Sequence, residues 1–299
     1  MEADCSETIV ALHSEHNLLP PKWATVYLLW YNWRCMAREV QVEGVVLRRG
    51  YIGEYDKWVS FLTPEHGKLR LRVRGARKPK SKMGMLTEPL NLLKARVIEG
   101  RTQRLMVQPQ LIRSYVALRA DLERLSVALA LCETLDRWLP EEHAEPEVYT
   151  TLIVALEALE AGASAEQAAA WALWRWLAML GYCPDITRCG QCGNELLPSD
   201  PTLPSGDESE RAGNLILVPA DGVLLCTRCA SQREGIALTS GAIQLLPRWL
   251  RGERIDSDAR PEAYQELLHA ALRYAECVLE SPVRWLEFWE RLNTLRESG

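Results

Sequence analysis

No apolar run in this 299-residue chain approaches the roughly 20 residues that a bilayer-spanning helix requires. The longest late run, WALWRWLAML at 171–180, is short and carries Arg175, and VYLLWYNW near the N-terminus is shorter still. The opening residues MEADCSE are acidic where a secretory leader would be basic. No membrane partner is expected, and the expected location is cytoplasmic. Histidine is scarce: the five in the chain are scattered and form no Ser/His/Asp grouping. HSEH at 13–16 lacks the i, i+4 spacing of a zinc protease, and HGK at 66–68 lacks the glycine and Ser/Thr of a phosphate-binding loop. An enzyme is therefore not expected. A disulfide framework is disfavoured too, because nine cysteines, an odd number, without a leader point to metal ligation or free thiols. The composition itself, 47% hydrophobic and 25% charged, excludes disorder throughout, and the length suggests two or three units.

The net charge of -5 hides an asymmetry. Between Val40 and Tyr115, 16 Lys and Arg stand against 6 Asp and Glu, about +10; the remainder holds 19 against 34, about -15. A basic unit on an acidic body suggests a polyanion that meets one surface only. The basic stretch is patterned as short strands. EVQVEGVVLRRG is the first, ending in Arg48 and Arg49, and DKWVSFLT the second, bounded by Pro64. LRLRVRG, EPLNLLKARVIEG and RLMVQPQLIRSY follow, and Pro109 in the last implies an edge position. Five short antiparallel strands match a small barrel of the OB type, with an SH3-like barrel as the alternative.

In LRLRVR, Leu69, Leu71 and Val73 fall on one side of an extended chain and Arg70, Arg72 and Arg74 on the other. The strand runs into GARKPKSK, where Gly75 and Pro79 oppose helix and leave Arg77, Lys78, Lys80 and Lys82 on a loop expected to be mobile. An isolated KPKSK is more often a solvated loop. Three arginines before it, with Arg48 and Arg49 on a neighbouring strand, favour phosphate contacts that read no sequence. Tyr51, Tyr55, Trp58 and Phe61 are the available stacking aromatics, although Trp58 and Phe61 suit the barrel interior equally well.

Beyond Tyr115 the period changes from 2 to about 3.6. Leu122 to Leu139 marks one helix, stopped by Pro140; Val148 to Leu159 a second, ended by Gly162. SAEQ at 164–167 is a capping box that opens a third through WALWRWLAML, whose tryptophans read as packing residues. GAIQLLPRWLRG, PEAYQELLHAALRYAECVLE and PVRWLEFWERLNTL are three more. The expected class is α+β: an extension at 1–38, an OB-type barrel at 39–116 and a helical domain at 117–299 with an insertion at about 183–232.

That insertion carries CGQC (Cys189, Cys192) and CTRC (Cys226, Cys229). Two such knuckles offer four thiolates to one tetrahedral Zn(II), a closed shell that is structural rather than catalytic. The 33 residues between them exceed the usual spacing, and PSDPTLPSGDESERAG reads as a solvated loop that makes up the excess. The deaminase pattern H-x-E with P-C-x-x-C is absent, since Arg188 precedes Cys189. Cys183 reads as a bystander.

GEYD (Gly53 to Asp56), Thr63, Gly67, RGARKPKS (Arg74 to Ser81), GYCPDITRCGQCG (181–193) and LLCTRC occur in an order that resembles the RecO family of bacterial recombination mediators, over about residues 40–290. The resemblance implies an OB barrel, a helical domain and an inserted zinc module. It also implies binding of single- and double-stranded DNA, annealing of complementary strands, and action with RecR to load RecA onto strands coated by single-strand-binding protein (SSB), hence a nucleoid-associated place in the cytoplasm. The phosphate contacts expected are Arg70, Arg72, Arg74, Arg77, Lys78, Lys80 and Lys82, with Arg48 and Arg49 as weaker additions. For the acidic, aromatic-ended SSB tail, Arg175, Arg248, Arg251 and Arg273 are the candidate anchors. A zinc-containing nucleic-acid-binding scaffold without annealing activity is the alternative.

Overall fold

Alternating apolar residues from Glu39 onward form a five-stranded closed barrel: β1 (Glu39–Ile52), β2 (Asp56–Thr63), β3 (Gly67–Val73), β4 (Leu92–Glu99) and β5 (Arg104–Arg113), in the order β1-β2-β3-β5-β4. The structure is a computed structural model that describes residues 39–100, 102–196, 215–231, 233–253, 255 and 260–279. The 1–38 extension, the 198–213 loop and the last expected helix lie outside the described residues. β1 is long because it serves two partners, pairing with β4 through Glu39–Val45 and with β2 through Val45–Ile52. Gly44 sits at the changeover, where an added Cβ would lie 2.2 Å from the Leu62 carbonyl oxygen. β3 and β5 close the barrel in parallel, an OB rather than a meander arrangement. Pro109 is not on a simple edge strand: it stands in an irregular stretch of the β4–β5 ladder, next to Gln108 at φ 49°.

Inside the barrel, Val46, Val59, Phe61, Leu71, Val73 and Leu93 are sealed from solvent. Val45, Leu47, Leu62 and Leu92 point outward yet are buried, because the helices cover that side of the barrel. After a one-turn helix α1 (Met83–Leu86) come α2 (Val116–Ala120), α3 (Leu122–Trp138), α4 (Pro146–Ala161) and α5 (Ala165–Met179). Asp121 caps α3 by accepting from the Glu123 and Arg124 amides, and Ser164 caps α5 by accepting from Gln167. Gly162, at φ 104°, ends α4. The tryptophans of α5 are packing residues: Trp174 and Trp176 are fully buried and donate to the carbonyls of Leu267 and Val148. β6 (Leu215–Val218), β7 (Val223–Leu225) and β8 (Ile236–Leu238) form a small sheet with a one-turn α6 (Thr227–Ala230), and α7 (Ser240–Leu250) and α8 (Pro261–Val278) pack on α5.

Candidate nucleic-acid interface and metal centre

Strand register assembles the basic face. β2 and β3 set Ser60 against Arg70 and Trp58 against Arg72, while β1 and β2 set Arg48 against Ser60 and Gly50 against Trp58. Arg48, Trp58, Arg70 and Arg72 therefore share one outer face, since side chains two apart or directly opposite point the same way. The Trp58 indole lies across Gly50, where an added Cβ would stand 2.2 Å from its Nε1. Arg70 sits 4.6 Å over the indole ring and Arg48 5.9 Å from it, within cation–π range. Of the two aromatics that the sequence left open, Phe61 fills the barrel and Trp58 stays half-buried on the arginine face. The β1–β2 and β4–β5 turns flank this surface, the arrangement with which OB barrels hold oligonucleotides.

Internal pairing divides the cations. Arg72 Nε donates to Asp56 at 2.8 Å, and Asp56 also accepts from the Gly75 amide at 2.8 Å. The Gly75 N–H, then Arg72, hold the Asp56 carboxyl below its usual range. Arg49 is carried to the opposite side of β1 from Arg48, where its Nε lies 2.6 Å from Glu88 and its NH1 2.7 Å from the Tyr51 hydroxyl. Burial raises the Glu88 carboxyl, but hydrogen bonds from the buried Lys57 and from Arg49 outweigh it and leave a net lowering. Arg48 lies 3.6 Å from Asp136 on α3. Arg70, Lys80 and Lys82 are exposed and have no carboxylate partner among the described residues, whereas the exposed Arg74 forms no ion pair but its charge helps to hold the Asp56 carboxyl down. Arg77 donates to the Gly53 carbonyl and lies 4.4 Å from the Tyr51 ring; Lys78 lies 6.0 Å from the Tyr55 ring. Both rings, 58% and 48% exposed, stand open beside these cations.

The loop carrying Arg77 to Lys82 is tied by backbone hydrogen bonds. Arg77 N–H donates to Tyr55 O at 2.9 Å, Lys78 N–H to Gly75 O at 3.2 Å and Ser81 N–H to Lys78 O at 2.9 Å. Gly75 supplies the positive φ of 66° that starts the turn. Asn91 fastens the far end by donating to the Met85 and Leu86 carbonyls.

The four knuckle cysteines converge, their sulfurs all within 4.8 Å of one another. A tetrahedral metal with bonds of about 2.3 Å sets its sulfurs about 3.8 Å apart, and Cys192 Sγ and Cys226 Sγ are 3.9 Å apart. In the first knuckle, Cys189 N–H donates to Asn194 O and Gly193, at φ 72°, donates to Cys189 O. Gly190 N–H donates to Leu224 O, which ties this knuckle to β7, and any Cβ there would collide with Val223. Burial raises the Cys189 thiol, but the amides of Cys192, Cys226 and Gln191 outweigh it and bring it down to about 6. Hydrogen bonds to Cys226 and Cys192 hold Cys229 up at about 12. The set could hold one metal ion. Cys183 lies outside it, with its thiol pushed by burial to about 11.

Residues 36–115 match the family described as Recombination protein O N terminal, and residues 119–287 match Recombination protein O C terminal. The chain belongs to the Recombination protein O family. Relatives called DNA repair protein RecO include that of Symbiobacterium thermophilum, 29% identical over 71% of this chain and 80% of that protein. The Roseiflexus sp. protein is 30% identical over 84% of this chain and 85% of its own length, and that of Dehalococcoides mccartyi 24% identical over 85% and 98%. The family resemblance read from the sequence is thus established, as is the combination of an OB-like barrel with a helical body. Sequence reasoning missed Gly50 and Asp56. Gly50, directly after two arginines in a strand, carried the one usable signal, because a strand glycine marks close approach of another group. Asp56 carried none.

Proposed function

We propose that this chain is a DNA-repair and recombination mediator that grips DNA chiefly through its sugar-phosphate backbones, anneals complementary strands and helps RecR load RecA on SSB-coated DNA. The carrying observation is the group of exposed cations that form no ion pair among the described residues, Arg70, Arg74, Lys80 and Lys82, with Arg77 and Lys78 beside two open tyrosine rings. Annealing two polyanions is opposed by their repulsion, so a surface that neutralises phosphates on both raises the encounter rate and needs no bond chemistry. Single- and double-stranded DNA share that backbone and both bind. With about five phosphate contacts on a single strand, log affinity falls against log salt with a slope of roughly -3.5.

The metal that fits four thiolates at this spacing is Zn(II), held by Cys189, Cys192, Cys226 and Cys229 as a closed structural shell. The barrel–helix junction supports docking of the SSB tail. There a cleft of about 520 Å³ has Leu47, Pro89, Leu125 and Leu129 for an apolar end and Arg48, Arg49 and Arg119 for acidic residues. The arginines of this cleft are engaged, Arg48 with Asp136, Arg49 with Glu88 and Arg119 with the Pro89 carbonyl, as Arg175 is with the Trp249 carbonyl and Arg248, Arg251 and Arg273 are with nearby glutamates, and Glu88 and Glu133 also line it; what favours it over the four anchors expected earlier is the apolar wall beside its cations. The test is strand annealing and DNA binding by the Arg70→Glu/Arg72→Glu/Arg74→Glu protein, with far-UV circular dichroism to show that it folds. Annealing should disappear. Retention by the folded variant overturns the reading.

A further inference from the structure

A cleft of about 500 Å³ opens between the arginine face and the β4–β5 turn, within the range of roughly 300–1,000 Å³ over which proteins enclose small ligands. Trp58, Arg70 and Arg72 form one wall; Gln103, Glu141 and Glu142 stand on the other. We propose that this cleft receives one unpaired base of a bound strand and favours bases that present an exocyclic amine, which rests on the phosphate-binding reading above.

The two walls differ in chemistry. On the first, an indole with a guanidinium across it offers the flat surface on which bases stack. On the second, Arg104 lies 2.6 Å from Glu142 and holds that carboxyl below its usual range, so it stays ionised. Glu141 is exposed, with no cation partner among the described residues. Ionised carboxylates accept hydrogen bonds and donate none. They also repel phosphate, so a strand keeps its backbone on the Arg70 and Arg74 side and turns its base inward. Cytosine would then offer its N4 amine to Glu141, whereas thymine would offer the O4 oxygen in its place. A base within a duplex is stacked between its neighbours and stays out.

Fluorescence anisotropy on the full chain with oligo(dC) and oligo(dT) of about 15 nucleotides tests this. The dC oligomer should bind about fivefold tighter than the dT oligomer, and Glu141→Gln, whose amide can also donate, should bring the two within about twofold. Trp58→Leu, checked for folding by circular dichroism, should weaken both. Equal affinity of the unaltered chain for the two oligomers, or a preference that survives Glu141→Gln, overturns the slot while leaving phosphate binding intact if affinity still falls with salt. Failure of both oligomers to bind overturns the slot and the phosphate reading together.

Discussion

The cysteine cluster and the arginine face are built by opposite routes. Cysteines separated by 33 residues meet within 4.8 Å, whereas Arg48 and Arg49, adjacent in sequence, end on opposite sides of one strand with different partners. A tetrahedral thiolate set is one geometry, so its spacing pattern announces it from afar. A basic surface has no such geometry. Its composition is visible in the chain, but which cations remain available depends on carboxylates delivered by distant segments, Asp56, Glu88 and Asp136 among them.

The largest expected effect breaks the first half of that contrast. Cys226→Ser should abolish stoichiometric metal, measured by elemental analysis, and lower the thermal midpoint sharply, since such a site is worth on the order of 10 kcal/mol to folding. DNA binding should change by less than about threefold, because the two sites share no partner. Loss of DNA binding with the fold preserved would show that they are coupled.

A smaller effect is expected at the junction. Gly67 has φ 67°, and an added Cβ would stand 2.1 Å from the His143 carbonyl oxygen, a backbone atom that cannot swing aside. Gly67→Ala should cost about 1–3 kcal/mol in urea unfolding; an unchanged midpoint would mean that the turn and the residue-143 segment do not pack as described.

The finest test separates Arg70 from Arg72. Arg70→Ala should weaken single-strand binding about three- to tenfold and reduce the salt slope by about 0.7. Arg72 is tied to Asp56, so Arg72→Ala should cost about twofold or less, with nearly the same slope. Equal losses would show that DNA displaces Asp56. Acid gives the same information from the other partner. The Asp56 carboxyl is depressed, so its hold on Gly75 and Arg72 is present above the ordinary aspartate range and is lost as pH falls through its lowered value. Amide exchange at Gly75 should therefore accelerate only below pH of about 4.

How far the chain could be read without its fold follows from the same contrast. The alternation of Leu69–Arg74, the stops at Pro140 and Gly162 and the cap at Ser164 are local signals, and each element appears within a residue or two of its expected place. The hydrogen bonds that tie the loop after Gly75 were not legible in the chain, because Arg77 finds them at Tyr55 and Gly53, more than twenty residues away. Trp58 was open to two readings because parity alone does not say which side of a barrel strand is covered. The close approach at Gly50 and the register opposite Arg72 settle it.

The linear order of residues determined the strand and helix periods, the paired knuckles whose four thiols could hold a metal ion and the concentration of positive charge between Val40 and Tyr115. Those depend on neighbours in the chain or on spacing that admits one geometry. Only the tertiary structure decided which arginines are committed to internal carboxylates, which aromatic rings face outward and which cleft joins a cationic wall to an acidic one. Electrostatic and packing partners are chosen by distance in space, and strand pairing brings together residues that the sequence keeps apart.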